Sequence, residues 1–160
     1  MRVRKSVYLA ACVSALLIAE GLAAQERDPR IGVWVERKVS SSYQGLRRSF
    51  EDLGGGMTRV NIAVNRDGVS LSRSDHRCDG RQYPVLGEDQ QPTDTTFSCH
   101  TVNARTIEFT FRRSGANSWV TSTGTERISE DGQTYTVSAV QRDAQGRVVD
   151  RIERLFERQR

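Results

Sequence analysis

The sequence has only two histidines, His76 and His100, and no catalytic motif surrounds either of them. It contains no Ser-His-Asp order, no glycine-rich phosphate loop and no run of metal ligands at standard spacing. Asp75 precedes His76, but neighbouring residues on a strand point to opposite faces and do not form an acid–base pair. These absences exclude the common hydrolase and phosphoryl-transfer sites. We therefore predict that the protein is not an enzyme and uses no cofactor.

The chain also lacks a long hydrophobic run and an excess of charge of one sign. Its most apolar stretch, residues 7–19, is shorter than the roughly 20 residues that a membrane-spanning helix needs. The whole chain has 24 basic and 20 acidic residues, of which 21 and 19 lie after residue 24. Because the two signs are interleaved, the sequence predicts a solvated exterior, with neither a nucleic-acid-binding stripe nor a polybasic membrane patch.

The N-terminus has the order of a secretory signal peptide. Three basic residues within positions 2–5 precede the apolar run, and small residues follow at 21–24 before the chain turns polar. We predict a signal peptide over residues 1–24, cleaved after Ala23 or Ala24, and a periplasmic or secreted mature protein with no membrane span. The alternative is lipid attachment at Cys12, which follows a short lipobox-like sequence but would leave little apolar chain before the cysteine.

Cleavage would leave two cysteines, Cys78 and Cys99. In an exported protein a lone pair most simply forms a disulfide. His76 and His100 lie close to these cysteines in sequence, so a tetrahedral zinc site is an alternative, and free thiols are a third. The adjacent Cys-His spacing at 99–100 disfavours the metal, because the two side chains point to opposite faces of a strand. We predict the disulfide and no metal.

Most of the mature chain alternates as β-strands do, and the segment 119–156 shows this best. Two short Asp-to-Gly turns, at 130–133 and 143–146, separate three β-rich runs. Ile107, Phe109 and Phe111 form the most apolar alternation, which predicts the centre of the core. No repeat and no second domain are apparent. The sequence predicts an all-β antiparallel meander forming one domain over residues 25–160.

Two segments leave the choice between helix and strand open, and a third has a mixed pattern. Apolar residues within 41–53 and within 147–157 recur at helical spacing, although a strand, bulged in the second case, would also accommodate them. The run 118–129 has no cleanly apolar face: one side carries Trp119 and Arg127, and the other carries Glu126 and Ile128. A partly polar interior is therefore expected beside this strand.

With these segments in order, the chain resembles a family of exported bacterial proteins with lipocalin-like β-barrels, most of which are uncharacterised. The motifs that carry the resemblance are Gly32-Val33-Trp34, the hairpin Asp79-Gly80-Arg81-Gln82-Tyr83-Pro84-Val85-Leu86-Gly87, Arg105-Thr106-Ile107-Glu108-Phe109, the two late turns and the ending Phe156-Glu157-Arg158-Gln159. The resemblance implies a closed barrel of about eight strands, with strands over 46–52 and 147–157. The two cysteines depart from the family pattern.

A barrel of this size encloses side chains or one small ligand. We predict that the protein binds a small apolar or amphipathic molecule. The candidate wall residues are Trp34, Phe97, Phe109, Phe111, Trp119 and Tyr135, with Arg127 orienting a polar end if it faces inward. The alternatives are that the aromatic side chains simply fill the core, that the protein is an envelope interaction or structural module, and, least favoured, that it is an enzyme.

Overall fold

The computed structural model describes residues 28–37, 45–64, 70–115 and 119–160. The signal peptide predicted over 1–24 and the alternative lipid attachment at Cys12 lie outside these residues. The strands in the described ranges are β1 (Gly32–Glu36), β2 (Leu46–Gly54), β3 (Met57–Val64), β4 (Ser70–His76), β5 (Tyr83–Leu86), β6 (Pro92–Asn103), β7 (Thr106–Arg113), β8 (Thr121–Ile128), β9 (Thr134–Arg142) and β10 (Val148–Arg158). None of the described residues is helical.

The strands form a closed antiparallel barrel in which each strand pairs with its neighbours in sequence. β1 completes the ring by pairing with β2 on one side and with β10 on the other, where Trp34 lies opposite Arg158. The predicted all-β meander is therefore confirmed. The described ranges contain ten strands where about eight were expected.

Both segments with helical periodicity are strands. In β2, Leu46, Arg48 and Phe50 are buried, while Arg47 between them is exposed. In β10, Ile152 and Phe156 alternate onto the core face, whereas Val148 and Val149 are exposed, next to a register shift against β9 between Val148 and Asp150. Barrel closure decides both cases, because each segment completes the backbone hydrogen bonds of a neighbouring strand.

The turn between β2 and β3 explains three consecutive glycines. Gly54, Gly55 and Gly56 have φ values of 81°, 60° and 76°. Other residues adopt this left-handed region only at a cost, so the tight connection requires glycine.

The interior is packed with large side chains. The buried apolar core consists of Trp34, Leu46, Phe50, Val60, Val85, Phe97, Cys99, Ile107, Phe109, Ile128, Tyr135, Val137, Ala139 and Phe156. Ile107 and Phe109 are buried and Phe111 packs against them, as their alternation predicted. Phe97 contacts both phenylalanine rings, with centroids 6.2 Å from Phe109 and 4.8 Å from Phe111.

Gly124 lets β8 and β9 approach closely. A Cβ atom at this position would collide with the carbonyl oxygen of Ser138 and lie 2.8 Å from the Cα atom of Ala139. Because these are mainly backbone contacts, they cannot be relieved by rotating a side chain. We expect Gly124→Ala to destabilise the protein by about 1–3 kcal/mol, as overpacking does. Urea unfolding measures the change; the exposed neighbour Thr125→Ala is the control, and equal unfolding midpoints for the two variants would contradict the expectation.

Candidate ligand-binding site

A short segment before β1 lies across one end of the barrel. The carbonyl oxygen of Arg30 accepts a hydrogen bond of 2.7 Å from Trp34 Nε1, so the segment is tied to the buried tryptophan. Arg158, at the end of β10, lies over the Trp34 ring at 4.3 Å from its centroid. The same guanidinium donates hydrogen bonds to the carbonyl oxygens of Pro29 and Ile31, at 2.6 and 2.9 Å. These contacts hold the segment before β1 against Trp34 and Arg158 at this end of the barrel.

A charged cluster lies buried inside the barrel beneath this segment. Glu126 on β8 accepts a hydrogen bond of 2.8 Å from Arg48 on β2 and one of 3.3 Å from Arg30. Arg30 is also paired with Asp28, at 2.7 Å. Arg48 donates a second hydrogen bond, of 2.7 Å, to the hydroxyl oxygen of Tyr135 on β9. Two guanidinium groups thus face two carboxylates, so the cluster carries no net charge.

The ionisation of the cluster follows from its contacts. Burial alone would raise the pKa of Glu126, but the guanidinium groups of Arg48 and Arg30 outweigh burial and hold this pKa below its usual value. For Tyr135, burial and the adjacent Glu126 carboxylate raise the pKa well above 10. Glu126 is therefore an anion and Tyr135 a neutral phenol at neutral pH. A buried ion cluster of this kind is stable only while all its partners are present.

His76 forms a second buried polar position. It is 1% exposed, packs with its ring centroid 4.4 Å from that of Phe97, and has Nδ1 3.1 Å from Ser74 Oγ. Its Nε2 atom has no hydrogen-bond partner among the described residues. Burial and the nearby charge of Arg30 lower the pKa of His76 to about 4. The imidazole is therefore neutral at pH 7.

The lowered pKa of His76 predicts a loss of stability in mild acid. Between about pH 6.5 and pH 4, the unfolded chain takes up a proton at this histidine that the folded chain does not. The free energy of unfolding is therefore expected to fall by up to roughly 3 kcal/mol as the pH drops through this window. The carboxyl groups of Asp28, Asp75 and Glu126, whose pKa values are lowered, add to this loss below about pH 5.

Unfolding by urea at a series of pH values tests this prediction. His76→Gln should flatten the dependence of the unfolding free energy on pH between about 5 and 6.5, where His76 is the main contributor, whereas His100→Gln should leave it unchanged. His100 is the matched control, because it is exposed on the outer face and pairs there with Glu108 at 3.1 Å. A dependence that survives in His76→Gln would contradict the assignment.

The predicted disulfide between Cys78 and Cys99 is confirmed. Cys78 lies two residues beyond the end of β4, and Cys99 lies on β6 with its side chain buried. The bond joins the segment that follows β4 to β6, beside the backbone bridge between Asp79 and His100 and the hydrogen bond of 2.8 Å from Gly80 N to the carbonyl oxygen of Cys99. The cross-link therefore fixes this segment on β6.

A cavity of about 600 Å³ opens at the same end of the barrel, and we call it the mouth cavity. Its floor includes Arg30 and Glu126 of the buried cluster. Its walls come from the segment 28–30, the glycine turn 54–56, residues 77–79 and the turn 103–106, together with Asp52, Thr58, Thr101 and Ile107. Deeper in the barrel, a second cavity, of about 20 Å³, lies beside Arg48 and His76.

The residues predicted to bind a ligand do not surround the mouth cavity. Trp34, Phe97, Phe109 and Tyr135 are buried in the packed core, and Phe111 packs against it. Trp119 is partly exposed and lies beneath the guanidinium of Arg113, at 4.7 Å. Five of the six aromatic side chains thus have the core-filling role given above as an alternative, whereas Trp119 lies outside the core cluster.

Arg127 lies on the outer face of β8, and its neighbour Glu126 faces inward. The role predicted for Arg127 required its side chain to face inward, but the side chain faces outward. The face carrying Glu126 contacts the core because Ser122 and Ile128, which share it, are buried. The expected polar interior beside this strand is present, but its charge is a carboxylate.

The sequence did not identify Arg30 and Arg48 as buried, and it offered His76 only as an alternative zinc ligand. Strict alternation in β2 was a usable signal for Arg48, which stands between the inward-facing Leu46 and Phe50. No local signal identified Arg30, because it precedes the first strand. The burial of His76 depends on Phe97 from another strand.

Fold and site together define a closed antiparallel β-barrel with a packed core, a buried ion cluster without net charge and a mouth cavity at the end that carries the segment before β1. No protein-family model and no curated protein sequence matches the chain. Among solved structures, the chain is similar to that titled "Crystal Structure of Rv2717c from M. tuberculosis", with 16% identity and a TM-score of 0.47 over 82% of this chain and 94% of that one. A structural similarity with this identity and TM-score carries no functional argument, and the geometry of the site is the basis for inferring function.

Among the described residues, no helix has the length and apolar character needed to cross a membrane.

Proposed function

We propose that this chain is an exported, lipocalin-like bacterial barrel that binds a small amphipathic ligand in its mouth cavity. The observation that carries the proposal is the size and position of that cavity. Its volume of about 600 Å³ lies within the range of small-molecule sites, and it opens at one end of a rigid barrel.

The chemistry of the lining favours an amphipathic ligand over a wholly apolar one. The floor presents the buried pair Arg30 and Glu126, while Ile107 and Pro29 supply apolar contact. Arg77 and Arg105 add exposed charges at the walls. A ligand with an apolar body and one polar end would satisfy both kinds of surface. A wholly apolar ligand deeper in the barrel is disfavoured, because the cavity beside Arg48 and His76 has a volume of about 20 Å³, too small for such a ligand.

Two features support the exported part of the proposal. The disulfide between Cys78 and Cys99 is consistent with an oxidising compartment outside the cytoplasm. The N-terminal sequence has the order of a signal peptide. The lipocalin-like part is supported by the motif Gly32-Val33-Trp34 at the start of a closed barrel.

Tryptophan fluorescence can test binding, because the two tryptophans are placed differently. Trp34 is bonded to the carbonyl of Arg30, on the floor of the mouth cavity, whereas Trp119 lies next to the β7–β8 connection. In a Trp119→Phe background, we expect Trp34 emission to change saturably on titration with the amphipathic probe 1-anilinonaphthalene-8-sulfonate. The uncharged analogue N-phenyl-1-naphthylamine should bind more weakly if a polar end is required.

A pair of substitutions tests whether the probe binds in the mouth cavity. Thr101 lines the mouth cavity, and Thr101→Phe should weaken probe binding by occupying it. His100→Phe adds an aromatic ring at the adjacent residue on the outer face and should leave binding unchanged. No saturable response, or an equal response in both variants, would overturn the proposal and favour the structural or protein-interaction role, which a filled, cross-linked barrel also suits.

A further inference from the structure

Three side chains with metal-binding atoms converge near the mouth of the barrel. A ring nitrogen of His76 and the sulfur atoms of Cys78 and Cys99 all lie within 4.8 Å of one another. His76 and Cys78 are two residues apart, which places their side chains on the same side of the chain, and Cys99 approaches from β6. The second histidine considered for a metal site, His100, is exposed on the outer face and takes no part.

The unpartnered nitrogen of His76 is an independent observation. Its ring is buried, Nδ1 contacts Ser74 Oγ, and Nε2 has no hydrogen-bond partner among the described residues. Buried polar atoms are usually satisfied, so an exception calls for a role. A neutral imidazole with one nitrogen supported by a hydroxyl and the other unpartnered has the arrangement of a metal-ligating histidine, whose second nitrogen is commonly held by a hydrogen bond.

With the disulfide formed, the two sulfur atoms are bonded to each other and do not act as thiolate ligands. A dithiol reductant changes this by thiol–disulfide exchange. The bond between Cys78 and Cys99 breaks, each sulfur receives one electron and one proton, and the reductant is oxidised to its own disulfide. A divalent metal ion can then displace the two thiol protons to solvent and bind both thiolates.

We propose that the reduced barrel binds a divalent zinc-type ion through His76, Cys78 and Cys99, with a fourth position open towards the mouth cavity. Two cysteines and one histidine are a known ligand set for zinc sites that keep a water or substrate in the fourth position. Cys78 itself lines the mouth cavity, so that position would face a space large enough for water or a small ligand. Oxidation of the cysteine pair would abolish the site.

The charge near the site is compatible with a cation. Arg30 Nη2 lies 3.8 Å from Cys78 Sγ and would repel an isolated metal ion. However, Arg30 is already paired with Asp28 and Glu126, and a divalent ion bound by two thiolates brings no net charge.

Cobalt(II) is a suitable probe, because cobalt–thiolate bonds absorb in the near ultraviolet. The full mature chain is reduced with a phosphine, desalted without oxygen and titrated with cobalt(II) alone. We expect a thiolate-to-cobalt band that saturates at one ion per chain and disappears on addition of zinc. The oxidised protein should show no band. Absence of a band in the reduced protein would overturn the proposal.

Variants identify the ligands. His76→Ala should weaken cobalt binding by at least the roughly 10–100-fold that loss of a supporting group costs a metal site. His100→Ala, the matched control, should bind as the parent does. Circular dichroism checks that each variant is folded. If His76→Ala does not fold, Cys78→Ser, at the partly exposed cysteine, provides a second variant that lacks one ligand. Equal cobalt affinity in a folded loss-of-ligand variant and in the parent would overturn the assignment.

Discussion

Glu126→Gln is expected to lower the free energy of unfolding by about 3–5 kcal/mol, the cost of breaking a buried ion pair from one side. The substitution keeps the shape of the side chain and removes only its charge. Arg48 and Arg30, both buried, would lose their shared carboxylate, and Asp28 would remain as the partner of Arg30. The remaining positive charge of Arg48 would have no counter-ion in a low-dielectric interior.

Urea unfolding of the disulfide-bonded protein measures this effect. The shift in midpoint reports the change in stability when the slope of the unfolding free energy against urea concentration, the m-value, is the same in both proteins. Glu130→Gln in the exposed turn between β8 and β9 is the matched control and should change stability little. The double variant Glu126→Leu/Arg48→Met should recover part of the loss, because apolar residues of similar volume can replace a buried pair. A midpoint for Glu126→Gln equal to that of the control would show that the cluster is not required for stability.

Removal of the disulfide is expected to cost roughly 3 kcal/mol, the second large effect. Cys78 and Cys99 are 21 residues apart in sequence, and a cross-link over a loop of this length restricts the unfolded chain. The double substitution Cys78→Ala/Cys99→Ala removes the constraint while leaving small apolar side chains at both positions.

Urea unfolding with and without a phosphine reductant tests this expectation, with a chelator present so that metal binding cannot stabilise the reduced form. Reduction should lower the unfolding midpoint of the parent towards that of the double variant. The double variant should not respond to reductant, which makes it the internal control. An unchanged midpoint on reduction of the parent would show that the barrel wall needs no cross-link at this position.

The strand pattern was predictable because its causes are local. Side chains alternate along a strand, so the spacing of Ile107, Phe109 and Phe111 identified a core face. Short turns such as 130–133 and 143–146 depend on residues within the turn itself, and both connect strands as expected. The cysteine pair was predictable because two cysteines in a chain expected to be exported have few alternatives.

The helical spacing in β2 and β10 was misleading for a physical reason. Local periodicity describes only the preference of a segment in isolation, whereas a strand in a barrel also satisfies the backbone groups of both neighbours. β1 cannot close the ring unless β2 and β10 are both extended beside it. The resemblance to a barrel family, which supplied this long-range information, was needed to predict these two strands.

By itself, the sequence determined the class of this protein, an antiparallel β-meander with a disulfide between Cys78 and Cys99. It did so through alternating side chains and turn residues, whose effects extend over only a few positions. Only the tertiary structure decided that Glu126, and not Arg127, faces the core, that the aromatic rings fill the interior, and that Arg30, Arg48 and His76 meet there. These outcomes depend on side chains from strands far apart in sequence. Their contacts exist only once the barrel has closed, because closure sets which faces meet and how much space remains between them.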